Sequence, residues 1–171
     1  MINERIAKLI NDQMNFEVES AYLYFAMAAD LDCRDLDGFS NWMKIQGQEE
    51  LQHVTRFYTY LVEREGRPFF TGMPAPQKEW ESPLSIFQAA LVHERKVTDR
   101  INKIITAAHE EGDHATVNYV NWFINEQIEE EANVKTVIAQ LKLIQDSGQG
   151  MFMLNKELAA RQLTVPPAQT Q

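Results

Sequence analysis

The sequence predicts an all-α protein, a four-helix bundle with one long crossover between helices 2 and 3 and a short fifth helix near the C-terminal end. Three observations favour this fold. The 171-residue chain is 44% hydrophobic with only 7 Gly and 6 Pro, a composition typical of a helix-rich globular protein. In four long segments, apolar residues recur at the three- and four-residue spacing of a buried helix face. Glycines and prolines cluster in one segment, residues 66–81.

The first two helices are predicted from their end signals and apolar faces. Asn3 can cap a helix that runs to about Leu31, and a second helix is expected from about Asp37 to Glu65, where Gly66 follows as a stop signal. The polar turn between them is short, so the two helices should pack antiparallel. The predicted buried face of the first helix consists of Ile6, Ile10, Gln13, Glu17, Tyr24, Met27 or Ala28, and Leu31. The face of the second consists of Phe39, Trp42, Met43, Gln46, Glu50, His53, Phe57 and Tyr60 or Leu61.

Residues 66–81 contain Gly66, Pro68, Gly72, Pro74 and Pro76 and show no helical period, so they are predicted to form a loop. In extended form such a segment reaches at most about 50 Å, whereas a helix of about 27 residues is roughly 40 Å long. The loop can therefore cross the full length of a bundle, which allows the third helix to run parallel to the second.

The third and fourth helices follow the same kind of signal. Ser82 can cap the third helix with Pro83 at its first position, and the helix is expected to end before Gly112. Asp113 can cap the fourth helix, which is expected to end near residues 146–150. The predicted buried face of the third helix consists of Phe87, Leu91, Glu94, Thr98, Ile101, Ile105 and Ala108. The face of the fourth consists of Val120, Phe123, Gln127, Glu130, Val134, Val137 and Leu141.

A short fifth helix is expected over about Met151–Leu163. Residues 164–171, which include two prolines, are predicted to form a flexible tail. The sequence therefore predicts one domain over residues 1–163.

A carboxylate interrupts the apolar face of each long helix near its middle. These residues are Glu17, Glu50, Glu94 and Glu130, joined by His53 and Gln127. Mid-helix residues of an up-and-down bundle meet at one depth of the core, where carboxylates repel one another unless they are protonated or bound to cations. Oxygen-rich ligation with one imidazole suits iron or manganese, so the pattern predicts a dinuclear metal centre. The alternative is a structural polar core without metal.

The other histidines are predicted to be surface residues. His93 directly precedes Glu94 in the sequence but faces about 100° away from it on a helix. His109 and His114 lie off the predicted buried faces. None of the three is expected to take part in the metal centre.

The composition excludes several classes of function. A formal net charge of −9 argues against nucleic acid and anionic membrane surfaces, which select basic patches. Cys33 is the only cysteine, so no internal disulfide and no thiolate metal cluster are expected. The chain shows no signal-peptide pattern and no apolar run long enough to cross a bilayer. We therefore expect a cytoplasmic protein without membrane or nucleic-acid partners.

The spacing of the mid-helix residues resembles that of ferritin-like carboxylate bundles, in which two helices carry a lone Glu and two carry Glu-x-x-His. The matching positions are Glu17, Glu94 and the pair Glu50 and His53. The fourth helix has Gln127-x-x-Glu130 instead. This asymmetry is similar to that of prokaryotic non-haem ferritins and differs from the symmetric pattern of bacterioferritins and rubrerythrins.

Two further features agree with the non-haem type. Bacterioferritins ligate haem through a Met between the Glu and the His of the second helix, and this chain has Leu51 and Gln52 there, so no haem is expected. The rubredoxin module of rubrerythrins needs a Cys-x-x-Cys pair, which the sequence lacks.

The resemblance implies a set of iron ligands. Glu17, Glu50 and His53 would hold one iron, and Glu50 would bridge to a second. The second iron would be held by Glu94 and approached by Gln127 and Glu130, with Tyr24 beside the site. Glu49, Glu126 and Glu129 match a third iron site toward the cavity of the shell. For these three a solvated surface is the alternative, and for Tyr24 it is ordinary packing.

By the same resemblance, we expect an iron-storage protein with ferroxidase activity that oxidises Fe(II) with O2 or H2O2. Storage of a ferric mineral implies a homo-oligomeric shell of 24 subunits. One alternative is a DNA-protecting miniferritin, which would have a basic tail and a site shared between subunits. The other is a helix-bundle scaffold without catalysis, whose polar core fixes register.

Overall fold

The computed structural model describes residues 1–163, and its helical architecture confirms the predicted bundle with a fifth helix. The helices are α1 (Glu4–Asp32), α2 (Asp37–Glu63), α3 (Pro83–Glu110), α4 (His114–Ile144) and α5 (Gly148–Leu158). The predicted tail, residues 164–171, lies outside the described residues. Among the described helices, none is both long and apolar enough to span a bilayer.

Three of the long helices begin at the caps that the sequence predicts. The side chain of Asn3 accepts a hydrogen bond from a backbone N–H in the first turn of α1. Ser82 forms a reciprocal capping box with Ser85 at the start of α3. Asp113 Oδ1 accepts from the backbone N–H of Thr116 at 3.0 Å. These caps satisfy N–H groups that the first turn of a helix leaves without partners.

The end of α2 differs from the prediction by two residues. The helix ends at Glu63 because Glu65 adopts a left-handed backbone conformation with a φ of 59°. The N–H of Gly66 then donates to Leu61 O at 2.8 Å, which satisfies a terminal carbonyl of the helix.

The prediction of α5 over Met151–Leu163 was wrong at both ends, since the helix spans Gly148–Leu158. The start is earlier because Ser147 Oγ accepts from the N–H of Gly150 at 3.1 Å and caps the helix. A Cβ at Gly150 would lie 2.8 Å from Ile144 Cβ. The missing side chain of this glycine therefore lets α5 pack closely against the end of α4, and the glycine does not break the helix.

Two apolar clusters fill the bundle, one toward each end. The first apolar cluster includes Phe39 of α2 and Phe87 of α3, and the second includes Phe57 of α2 and Ile101 of α3. Both α2 and α3 therefore run from the first cluster to the second, which confirms that they are parallel. The crossover at residues 64–82 spans the length of the bundle.

The crossover is held along α1 by polar side chains, among them the buried Asn11 and the half-buried Asn15. Asn11 Oδ1 accepts from the N–H of Phe69 at 2.9 Å, and Asn15 Oδ1 accepts from the N–H of Thr71 at 2.8 Å. Near the other end of α1, Asp30 Oδ2 accepts from the N–H of Trp80 at 3.2 Å. These contacts give the irregular backbone hydrogen-bond partners that secondary structure does not supply.

The buried face of α3 is rotated relative to the predicted one. Leu91, Thr98 and Ile105 are only half-buried. Their places are taken by Ala90, Val97 and Ile104, whose side chains are at most 1% exposed. The apolar period of this helix fits both faces, and its packing against α1 and α4 buries the second one.

The start of α2 provides a test of how α5 docks. A Cβ at Gly38 would lie 1.7 Å from Asn155 O, so Gly38→Ala should push α5 away. We expect the free energy of unfolding to fall by about 1–3 kcal/mol, the usual cost of overpacking. The change would be measured as a lower thermal midpoint by circular dichroism. Gly72→Ala is the control, because no atom lies within 4 Å of the added Cβ. Equal midpoints for the two variants would contradict a close contact between α5 and the start of α2.

Candidate metal centre

A polar layer separates the two apolar clusters at mid-height of the bundle. Each long helix contributes to it, because the predicted faces of all four helices place a polar side chain at the same depth. The layer consists of Glu17, Gln46, Glu50, His53, Glu94, Gln127 and Glu130, all of which are buried. The carboxylates that sequence reasoning assigned to the metal centre therefore lie in the core.

The tightest group in the layer is formed by Glu17, Glu50 and His53. One ligand atom from each lies within 4.8 Å of the other two, and His53 Nδ1 is 3.2 Å from Glu50 Oε2. Gln13 Nε2 donates to Glu17 Oε1 at 2.7 Å, whereas Glu17 Oε2 is buried without a hydrogen-bond partner. An unpaired buried carboxylate oxygen is unfavourable, so this group is suited to receive a cation.

The second half of the layer is held together by donors to Glu94 and Glu130. Gln127 Nε2 donates to Glu94 Oε2 at 3.0 Å, and the hydroxyl of Tyr24 donates to Glu94 Oε1. Gln46 Nε2 donates to Glu130 Oε2 at 2.7 Å. Within residues 1–163, only the trio of Glu17, Glu50 and His53 brings three ligand atoms so close together. The two halves of the layer are thus unequal.

Burial raises the pKa values of the four carboxyl groups, and repulsion from a neighbouring glutamate adds to it in each case. The pKa of Glu17 lies well above its ordinary value, first because of burial and then because of Glu50. Burial is also the main cause of the raised pKa values of Glu50 and Glu94. Burial and then Glu94 raise the pKa of Glu130 to about 8. Without a cation the layer would therefore favour protonated carboxyls, and a bound cation would replace those protons.

Comparison with known proteins identifies the family. Residues 7–144 match the family model of the ferritin-like domain. The chain belongs to the ferritin family. A bacterial non-heme ferritin of Staphylococcus saprophyticus is 38% identical over 94% of this chain and 96% of the relative. A probable bacterial non-heme ferritin-like protein of Haemophilus influenzae is 32% identical over 92% of this chain and 96% of the relative.

Solved ferritin structures have the same fold. The open-pore ferritin of the hyperthermophilic archaeon Archaeoglobus fulgidus superposes with a TM-score of 0.93 and 41% identity, covering 95% of this chain and all of that one. These comparisons confirm the predicted resemblance to prokaryotic non-haem ferritins. The family and the fold support a role in iron storage.

The three predicted outer residues of this ferritin line one cavity of about 260 Å³ beside His53 and Glu130. Glu49 Oε2 is 2.5 Å from Arg161 Nη2. Glu126 is half-buried, and burial is the first cause of its raised pKa. Glu129 is exposed at the rim. The structure thus brings these carboxylates together at the edge of the polar layer.

The prediction that His93 is a surface residue was wrong, whereas His109 and His114 are exposed as predicted. His93 is buried because the face of α3 that carries it packs against α1. Its Nε2 lies 2.7 Å from Ser20 Oγ, and its ring stacks on Phe16 with centroids 4.9 Å apart. Burial, with Lys96 and Arg100 nearby, lowers the pKa of His93 to about 4, so it is a neutral packing residue.

Three residues that support the site were missed as functional residues. Gln13 and Gln46 each lie one turn before a glutamate of the polar layer, and two glutamines on otherwise apolar faces were a usable signal. Arg161 contacts Gln46 and Glu49. Nothing in its local sequence indicates this contact, since it depends on how the residues after α5 fold back onto α2.

The stability of the metal-free protein should fall as the pH rises from about 5 to 8. Glu130 keeps its proton in the folded state up to a pKa of about 8, against an ordinary value of 4.5. The unfolded chain releases that proton at lower pH, so folding becomes less favourable as the pH increases. Thermal midpoints of chelator-treated protein should decrease over this range and less steeply in Glu130→Gln. A midpoint that rises with pH in the wild-type protein would refute this.

Proposed function

We propose that this ferritin is a ferroxidase as well as an iron store, and that it oxidises Fe(II) to Fe(III) at a di-iron centre within one subunit. The observation that carries the proposal is the buried trio of Glu17, Glu50 and His53, with ligand atoms within 4.8 Å of one another. The unpartnered Glu17 Oε2 supports it, because a cation would supply the missing partner. Iron is the substrate and the cargo of this site.

Each side chain of the layer has a separate role in the proposal. Glu17, Glu50 and His53 bind the first Fe(II), and Glu50 reaches toward the second. Glu94 binds the second Fe(II), with Gln127 and Glu130 beside it. An amide oxygen is a weaker ligand than a carboxylate, so the second position should bind iron less tightly than the first.

The reaction moves two electrons from two Fe(II) ions to one oxidant. O2 takes up two electrons and two protons to give H2O2, or H2O2 takes up two electrons and two protons to give two water molecules. Anionic oxygens attract a trivalent ion more strongly than a divalent one. The four carboxylates therefore favour the Fe(III) product over the Fe(II) substrate.

Neighbouring groups support this chemistry. Carboxyl groups with raised pKa values release protons when cations bind. Tyr24 lies against Glu94 as a buried hydrogen-bond donor, where it can orient that carboxylate. The outer cavity with Glu49, Glu126 and Glu129 is a place for a third iron between the layer and the inside of a shell. The single Cys33 suits the reducing cytoplasm, where we expect the protein to work.

A shell of 24 chains is the proposed storage form. The side chains of Leu143, Phe152 and Met153 are 83%, 60% and 63% exposed in one subunit. Exposed apolar residues grouped at the end of α4 and on α5 are typical of an interface. We expect native mass spectrometry to give 24 times the mass of one chain, and Phe152→Glu to shift the population to smaller species. A single-chain mass for the wild-type protein would rule out the shell.

Removal of the imidazole from the trio should slow iron oxidation. We expect His53→Ala to lower the initial rate at least about tenfold when protein loaded anaerobically with two Fe(II) per subunit is exposed to air. The rate is followed by the absorbance of Fe(III). His109→Ala is the matched control, because it removes an exposed imidazole at the far end of α3.

Circular dichroism should show unchanged helix content in both variants. The ferroxidase proposal fails if His53→Ala and His109→Ala oxidise iron at the same rate as the wild-type protein. It also fails if the wild-type protein forms Fe(III) no faster than buffer does.

A further inference from the structure

We propose that Arg161 is a tethered counter-cation of the outer cavity, and that a metal ion must displace its guanidinium in order to bind Glu49. This inference rests on the proposed function, because it takes a metal cation as the ligand of that cavity. It concerns a residue outside the four-helix bundle, in the segment that follows α5.

The segment after α5 is fixed on the first half of α2. Asn41 Nδ2 donates to Arg161 O at 3.1 Å, and Arg161 Nη1 donates to Trp42 O at 3.2 Å. The guanidinium carbon lies 4.3 Å from the centre of the Trp42 ring, at cation–π distance. Arg161 therefore has a defined position against α2 and is not a freely moving surface side chain.

From this position the guanidinium contacts two residues of the site. Its Nη2 donates to Gln46 Oε1 at 2.9 Å and to Glu49 Oε2 at 2.5 Å. Both side chains of the ion pair are mostly buried, with exposed fractions of 18% for Arg161 and 13% for Glu49. A partly buried pair is screened less by salt than a surface pair, so it competes effectively with a metal ion for the carboxylate.

Arg161 also acts on the inner layer through Gln46. The Oε1 atom of Gln46 accepts from Arg161, and its Nε2 atom donates to Glu130 Oε2 at 2.7 Å. The guanidinium thereby fixes the orientation of the amide, because a donor must meet the oxygen and not the nitrogen. Arg161 thus positions Glu49 directly and Glu130 indirectly, through the neutral amide of Gln46.

The negative charge around the cavity explains why the guanidinium of Arg161 is held there. Glu49, Glu126, Glu129 and Glu130 line the cavity. Among its described lining residues, Arg161 carries the only permanent positive charge. A volume of about 260 Å³ holds several water molecules at about 30 Å³ each, so a hydrated divalent cation fits beside the guanidinium. Loss of the arginine charge should therefore strengthen cation binding at this cavity.

The test is isothermal titration of redox-inert Zn²⁺ into the assembled, chelator-treated protein. We expect Arg161→Gln to tighten the weakest binding event about tenfold, which corresponds to about 1.4 kcal/mol, and to leave the tightest event unchanged. Arg161→Lys keeps the charge but loses the planar fork that makes these contacts, so its Zn²⁺ affinity should lie between those of the wild-type protein and Arg161→Gln. Addition of Glu49→Gln to Arg161→Gln should abolish the gain.

A second measurement uses the wild-type protein and does not depend on a variant that folds. Phenylglyoxal should modify Arg161 faster at saturating Zn²⁺ than without metal, because the metal frees the guanidinium. The exposed Arg67 is the internal control and should react at the same rate with and without Zn²⁺. Modification of both arginines is followed by peptide mass spectrometry.

The outcomes separate this inference from the proposed function. Unchanged or weaker Zn²⁺ binding in Arg161→Gln, or unchanged reactivity of Arg161 on addition of Zn²⁺, would overturn the role of Arg161. In either case the tightest Zn²⁺ binding event would still stand for the inner centre. If the wild-type protein binds no Zn²⁺ at all, the proposed metal centre itself fails.

Discussion

Burial of four carboxylates in one layer is the constraint on which the rest of the structure depends. Within the described residues no Lys or Arg forms an ion pair with any of the four, so their repulsion must be offset by protons or by bound cations. The apolar residues are consequently divided into two clusters, one on each side of the layer. These clusters supply the apolar contacts that hold the helices together on both sides of the layer. The bundle can therefore keep an unfavourable polar interior ready for a ligand.

The layer is positioned by neutral donors. Gln13, Gln46, Gln127 and Tyr24 each donate to one carboxylate oxygen of the layer. A neutral amide orients a carboxylate without cancelling its charge, whereas a lysine at the same place would occupy the site permanently. Each carboxylate oxygen that accepts one of these hydrogen bonds keeps a lone pair for another partner. The hydrogen bonds thus fix the positions of the polar side chains but leave the negative charge of an ionised carboxylate uncompensated. This suits a site that repeatedly binds and releases a cation.

Sequence patterns predicted the four long helices, the caps of three of them, the crossover and the buried position of the four carboxylates, because those features follow from local spacing. The period of α3 did not distinguish Leu91 and Thr98 from Ala90 and Val97, since both sets recur every three to four residues. Only the packing of α3 against α1 and α4 decides between them, and the contact with α1 buries His93 on Ser20. The residues after α5 carry no periodic signal. Arg161 was therefore invisible to sequence reasoning, although it contacts two residues of the site.

The position of α5 links the outer cavity to the start of α2. Asn155 Oδ1 accepts from the backbone N–H groups of Gly38 and Phe39 at 2.8 and 3.2 Å, so α5 caps α2 where no side chain of α2 does. Because Gly38 lacks a Cβ, the two backbones approach closely enough for this contact. The same docking carries Arg161 to the cavity. A shift of α5 would therefore move the guanidinium relative to Glu49 and change the charge that an entering cation meets.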